Sequence, residues 1–287
     1  MAETLKFRVG TRGSKLALAQ TQEVVSLLEQ TVTDMKVEVV KVSTSGDAKL
    51  KWNPKEGSFA DEINRMVLEG ELDAGVHSVK DLPSTLPEGL EIAAVPKRGS
   101  RLDCIVGIAN YARLPSGSVV GTSSPRRKAQ MLHYRRDLEI KELRGNVDTR
   151  LQKVKSGELD GIIIAKCGLD RLHYEGNDVY PLPLDYFVPA PGQGALALVT
   201  RTGALEMNAR LNIEHRPTRE EVEIERAVLR SLGTGCSTPL GITAMSFGNG
   251  FRLRVQLLTE DGMNERRLST VVHSVEEAEE TVRQLKG

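Results

Sequence analysis

Arginine is the residue type that recurs in chemically suggestive settings along this chain of 287 residues. Arg12 lies in GTRGS, Arg126 and Arg127 follow GTSSP, Arg144 and Arg150 bracket GNVDT, and Arg171 ends CGLDR. A guanidinium presents five donors in a rigid fork, the geometry that grips carboxylates and phosphates in pairs. If they converge, these groups build a site for a ligand with several acidic groups. The feature is local, because 39 Lys and Arg balance 39 Asp and Glu. That balance argues against a general nucleic-acid surface.

Two of these settings echo each other. GTRGS at 10–14 and GTSSP at 121–125 each end a strand-like run and open a helical one. Backbone donors at a helix start make an electropositive concavity, and Ser14, Ser123 and Ser124 add hydroxyls. The same serines also suit plain helix caps. Neither loop has Walker A spacing, so neither reads as a nucleotide site. In GVHSVKDLP (75–83), Lys80 and Asp81 stand where the chain leaves a short apolar strand. Lys80 suits an acidic ligand group. Asp81 suits proton donation or stabilisation of a cation, and equally a turn before Pro83. His77 reads as a buried histidine or a general base. In LRGNVDTRLQKV (143–154), Asn146 or Asp148 caps a helix, with Arg144 and Arg150 beside its start. The helix dipole disfavours that placement unless an anion docks there.

Of the three cysteines, Cys104 and Cys167 sit in apolar surroundings and read as buried thiols. Cys236, in TGCSTPLG, lies among small loop residues, which suits a nucleophile, a covalent attachment point or an incidental thiol. No His/Cys spacing or carboxylate cluster suggests a metal.

These residues need elements to hold them. Strands are expected at 6–10, 36–42, 72–76, 91–95, 103–108, 118–121, 139–143 and 160–165, and helices at 15–30, 59–69, 125–135 and 147–156. The alternation indicates α/β domains with mostly parallel sheets. Residues 43–58 form a long polar, aperiodic loop of the kind that covers active sites. PKRGS (96–100) and PAPGQG (189–194) read as crossings between two lobes, with a cleft between them as the expected ligand site. A helix at 219–231, antiparallel strands at 237–247 and 251–260 and a final helix at 275–286 form a separate small α+β domain. No apolar run is long enough to span a membrane, and no signal-peptide stretch opens the chain, so a cytoplasmic protein is expected.

Taken together, TRGSKLALAQ (11–20), VHSVKDLP (76–83), VGTSSPRRKAQ (120–130), LRGNVDTRLQK (143–153), PAPGQGALAL (189–198) and the Cys236 loop resemble the porphobilinogen deaminase family, in order and over nearly the whole chain. The resemblance implies two lobes like those of periplasmic binding proteins around a cleft, plus a small C-terminal domain. Domain 1 would hold 1–96 completed by 193–215, domain 2 would hold 99–190, and domain 3 would hold 219–287. It implies a transferase that joins four porphobilinogen molecules head to tail, releasing ammonia, to give hydroxymethylbilane. A dipyrromethane cofactor, one per chain and thioether-linked to Cys236, would prime the growing polypyrrole chain.

Asp81 is implied as the catalytic acid and charge stabiliser. Lys80, Ser123, Ser124, Arg126, Arg127, Arg144 and Gly145 are implied to hold the cofactor. Arg12, Ser14, Arg150, Arg171, Gln193, Phe59 and Lys55 are implied to hold or cover the substrate chain. Each ring carries an acetate and a propionate, which accounts for an array of arginines. A monomer without nucleic-acid or membrane partner is implied. TGCSTPLG departs from the usual GGC wording, and RGSRLDCIV departs from a DPRDA-like segment, with Leu102 between Arg101 and Asp103. The contribution of Arg101 is therefore open. The rival expectation is a non-catalytic binding protein for a polycarboxylate small molecule.

Overall fold

Short apolar strands and glycine-marked turns lay down one α/β plan twice. The computed structural model describes residues 5–31, 35–42, 60–205, 212–233 and 238–286. In the first sheet, β1 (Leu5–Arg12) lies between β2 (Met35–Val42) and β3 (Ala74–Ser78), parallel to both. The connections are α1 (Lys15–Thr31) and α2 (Asp61–Leu68). With β4 (Leu90–Ala94) and β10 (Leu196–Arg201) the order is β2-β1-β3-β10-β4. Phe7 and Val9 alternate inward from β1 to meet Val24 and Leu28 of α1, and Val76 and Leu198 join them.

The second sheet has the order β7-β6-β8-β5-β9. Its strands are β5 (Asp103–Gly107), β6 (Val119–Gly121), β7 (Glu139–Lys141), β8 (Gly161–Ala165) and β9 (Val179–Pro181). Its helices are α3 (Pro125–Tyr134), α4 (Val147–Lys155) and α5 (Lys166–Arg171). Ile162 and Ile164 of β8 pack with Leu143 and Leu151, while Ile163 packs with Met131 and Phe187. Burial on both faces explains why these strands read as unbroken apolar runs.

The expectation of mostly parallel sheets needs correction. β6 runs parallel to β7 and β8, as β1 does to its neighbours, but β5 is antiparallel to β8 and β9, and β10 is antiparallel to β3 and β4. The two reversed strands are those that follow the chain crossings at 96–100 and 189–194. They arrive from outside the strand–helix alternation, so no crossover helix forces them parallel.

The glycines of the echoed loops have one physical cause. A Cβ on Gly10 would lie 2.4 Å from Leu72 Cδ1, and one on Gly121 would lie 2.7 Å from Leu159 Cδ1. In each plan an apolar side chain packs directly on the strand just before the turn.

A third, antiparallel sheet, β11-β12-β13, comprises Leu240–Phe247, Gly250–Leu258 and Glu265–Val272. It packs on α6 (Arg216–Leu232) and α7 (Val275–Val282) through Val228, Ile242, Leu253, Val255 and Ala278. The chain forms two compact units. One is 1–99 with 195–220, and the other is 100–194 with 221–287. The second unit holds both the β5–β9 sheet and the C-terminal sheet. Gln130 Nε2 donates to Gln256 Oε1 at 2.6 Å between them.

Candidate active site

In the first unit the parallel register carries the chemistry to one edge. Gly10 pairs with Gly75, so β1 and β3 run out together. β1 ends on Arg12, which is half-buried, and the turn delivers Ser14. Ser14 Oγ accepts from Ala17 N at 3.2 Å and so caps α1. β3 passes into a single 3-10 turn, Val79–Asp81, that leaves Lys80 half-buried and Asp81 exposed. Gln20 Nε2 donates to Ser78 Oγ at 2.9 Å, tying α1 to the end of β3. His77 is buried, and burial pushes its pKa down to about 4. A neutral, enclosed imidazole is the structural one of its two readings.

In the second unit three loops leave the carboxyl ends of β6, β7 and β8, which are mutually parallel. Ligands of open α/β sheets bind outside such ends. After β6, Ser123 is exposed and Ser124 caps α3, its Oγ accepting from Arg127 N. After β7, Asn146 Oδ1 accepts from Thr149 N at 2.9 Å and caps α4. Gly145 before it has φ +109, a conformation that favours glycine. Its carbonyl accepts from Arg150 Nε at 2.8 Å. Arg144 is exposed and pairs with Glu142 at 2.8 Å. After β8, α5 ends on Arg171, whose Nη2 donates to Gly194 O at 3.1 Å.

Arg126 and Arg127 are buried at the start of α3 and engage Asp103 at the head of β5. Arg126 Nη1 donates to Asp103 Oδ2 at 2.7 Å, and Arg127 Nη2 donates to Asp103 Oδ1 at 2.7 Å. The paired arginines hold the Asp103 carboxyl well below the usual carboxylate range despite the desolvation that opposes it. Gln193, fully buried, donates from Nε2 to Asp103 Oδ1 at 3.0 Å and to Arg101 O at 2.9 Å. The Arg150 guanidinium is pushed down by desolvation and by the Arg127 charge. Here two guanidiniums share one carboxylate with a third cation beside them, so a ligand rich in carboxylates fits the electrostatics.

The sequence-expected groups therefore gather within each unit: Arg12, Ser14, Lys80 and Asp81 in the first, and Ser123, Ser124, Arg126, Arg127, Gly145, Arg150, Arg171 and Gln193 in the second. Arg144, next to Gly145, is exposed and paired with Glu142. Lys55, Phe59 and Cys236 lie outside the described residues. Cys104 and Cys167 are buried, and burial pushes the Cys104 thiol up to about 12. Arg101 donates to Glu221 Oε2 at 2.9 Å and to Ala244 O at 2.6 Å, so it braces α6 and β11. Sequence reasoning missed Asp103 as the partner of the arginine pair. Its available signal was an isolated acid heading the buried run CIVG. Among the described residues no cluster of His, Cys, Asp or Glu could hold a metal ion, and no helix is long and apolar enough to cross a membrane.

Among solved structures, the second substrate binding domain of a putative amino acid ABC transporter from Streptococcus pneumoniae aligns with a TM-score of 0.46 at 12% identity, over 79% of this chain and 94% of that one. Residues 7–209 match the family model "Porphobilinogen deaminase, dipyromethane cofactor binding domain", and residues 219–286 match "Porphobilinogen deaminase, C-terminal domain". The porphobilinogen deaminase of Thermus thermophilus is 45% identical over 95% of this chain and 91% of its own. The probable porphobilinogen deaminase of Methanothermobacter thermautotrophicus is 42% identical over 94% of both chains. With both family models matched and such relatives aligned over more than nine-tenths of both chains, the chain belongs to the porphobilinogen deaminase family.

Proposed function

We propose that this protein is the transferase of tetrapyrrole biosynthesis that condenses four porphobilinogen molecules head to tail into hydroxymethylbilane, releasing ammonia at each step. The observation that carries the reading is the buried surplus of guanidinium over carboxylate around Asp103, on a chain matched by the family's cofactor-binding model. Every ring added brings an acetate and a propionate, so a surplus of fixed cations is what the growing chain needs. The non-catalytic polycarboxylate binder has no specific observation in its favour.

The dipyrromethane, when bound, supplies the pyrrole carbon to which the first substrate is joined. Cys236 is its attachment point in this reading. The enclosed Cys104 thiol, pushed up to about 12, and the buried Cys167 make poor alternatives. Lys80, Ser123, Ser124, Arg126, Arg127, Arg144 and Gly145 bind the cofactor, with Arg126 and Arg127 acting through the donors and charge that Asp103 leaves over. Arg12, Ser14, Arg150, Arg171, Gln193, Lys55 and Phe59 serve the substrate chain. Asp81 is exposed on a short turn with Lys80 beside it. It holds the amine of porphobilinogen protonated until the C–N bond breaks, and its carboxylate then stabilises the cation that remains. The new C–C bond forms as the attacked ring carbon loses its proton, and after the fourth addition water releases the linear product and supplies its hydroxyl. Three domains, 1–96 with 193–215, 99–190 and 219–287, are supported by one sheet in each. On this reading the protein is a cytoplasmic monomer without nucleic-acid or membrane partners.

The test is the intact mass of the denatured full chain after expression in a porphobilinogen-producing host, beside Cys236→Ser, Cys104→Ser and Cys167→Ser. An added mass of two linked pyrroles, lost only with Cys236→Ser, is expected. A wild-type chain without adduct, even after incubation with porphobilinogen, would overturn the reading. Loss of the adduct with Cys104→Ser or Cys167→Ser alone would move the attachment.

A further inference from the structure

The Asp103 carboxylate is 1% exposed and joins three buried side chains of the second unit, Arg126, Arg127 and Gln193. It accepts from Arg126 Nη1 at 2.7 Å, from Arg127 Nε at 3.0 Å and Nη2 at 2.7 Å, and from Gln193 Nε2 at 3.0 Å. Among the described residues the other acceptors of the two guanidiniums are neutral: Arg126 Nη1 also reaches Gln130 Oε1 and Val188 O, Arg127 Nη1 reaches Ile163 O, and Arg127 Nη2 reaches Gln193 Oε1. A purely structural buried ion pair is matched in charge, because an uncompensated ion is costly. Here one carboxylate serves two guanidiniums, and Arg150 adds a third cation whose charge Arg127 opposes. The mismatch is tolerable when an anionic ligand completes it.

We propose that Asp103 is the positioning residue of this anion site. It pins Arg126 and Arg127 in one orientation and halves their joint charge, so that ligand carboxylates meet a fixed, moderately charged face. Gln193 completes the clamp by joining Asp103 to the backbone of Arg101. The proposal rests on the tetrapyrrole reading above. It adds that the affinity of the arginine pair for acidic pyrroles is set from behind, by a carboxylate that touches no ligand.

The experiment compares full-length wild type with Asp103→Asn, both from a porphobilinogen-producing host. It reads adduct occupancy by intact mass, KM and kcat for porphobilinogen, and melting temperature against inorganic phosphate. Asn keeps the shape and removes the charge. The variant should show lower occupancy, a KM raised about tenfold or more with a smaller change in kcat, and a melting temperature that phosphate raises more steeply than in wild type. The KM shift separates the roles, because a merely structural ion pair would lower the melting temperature and leave the KM of the folded enzyme unchanged. Unchanged KM with a parallel phosphate response would overturn the proposal. If Asp103→Asn yields no folded protein, Asp103→Glu keeps all the charges and displaces the carboxylate by one methylene from the arginines it holds. A smaller KM rise in the same direction supports positioning, and an unchanged KM refutes it. A wild type lacking adduct would defeat the tetrapyrrole reading itself. An adduct-bearing wild type matched in kinetics by Asp103→Asn would defeat only the role of Asp103.

Discussion

Acid should loosen the first unit through His77. The ring is buried on β3, with Nε2 2.8 Å from where a Cβ on Gly75 would stand and Ile63 of α2 packed on the same glycine. Burial strips the ring of water and moves its pKa from 6.5 down to about 4. The folded state therefore prefers the neutral ring, while the unfolded chain takes up a proton more readily. Stability from this residue is complete above the unfolded pKa and is lost as pH falls from 6.5 toward 4. The full difference amounts to about 3 kcal/mol, of which about 2 kcal/mol is gone by about pH 5. Urea unfolding of wild type and His77→Gln, followed from neutral pH to about pH 4.5, would show it as a pH-dependent gap between the two stabilities. The variant lacks the titration, so its stability should fall less over that window. Parallel curves would refute the argument and the enclosed, neutral imidazole on which it rests. The same reasoning predicts that His77→Gln leaves the acid limb of the pH–rate profile in place, contrary to the general-base reading.

Three further outcomes follow from particular contacts. Asp81→Asn should fold with an unchanged melting temperature, since the side chain is exposed, and should retain preformed cofactor while losing at least about a hundredfold in chain elongation, measured as hydroxymethylbilane release. Glu225 is fully buried and accepts from Gly192 N at 2.6 Å and Ala244 N at 2.9 Å. Glu225→Ala should therefore cost about 2–5 kcal/mol by denaturant unfolding, because two buried N–H groups lose their acceptor. Asn146→Ala removes the cap of α4 and should cost about 1 kcal/mol in the same assay, with Asn146→Asp close to wild type.

The parts of the fold that were legible in sequence are those fixed by local physics. KFRV and KVEVVKV show their strands by alternation and by β-branched content, and Ser14, Ser124 and Asn146 announce the helix starts they cap. β10 was not legible because LALVT is buried on both faces, and an unbroken apolar run has no period to read. β13 was missed because ERRLSTVV turns few apolar residues inward, and β9 because three residues carry no pattern. Strand direction after a crossing is a property of topology, so the antiparallel β5 and β10 left no local trace. Among the candidate site residues, the arginines and Asp81 stand out in sequence by type and setting. Asp103 did not, since its bonds to Arg126 and Arg127 span 23 and 24 residues. Nothing in RGSRLDCIV says that the acid is the one the arginines need.

The resemblance of GTRGS to GTSSP gains its meaning from the doubled plan. β1 and β6 occupy the same place in their sheet orders, each beside an edge strand and each leading into a capped helix. By the same correspondence the turn after β3, which carries Lys80 and Asp81, matches α5 after β8, which ends on Arg171. The two copies have been put to different uses. In the first unit the turn after β3 leaves the Asp81 carboxylate in solvent, where on the proposed reading it meets the substrate amine. In the second, Arg126 and Arg127 of α3 and Gln193 enclose a carboxylate that is 1% exposed, so the action open to it is on the arginines it holds. On the proposed reading the two exposures suit different tasks: Asp81 acts on the substrate amine, and Asp103 acts on the arginines it holds. Exchanging those environments, more than exchanging the residues, would abolish both.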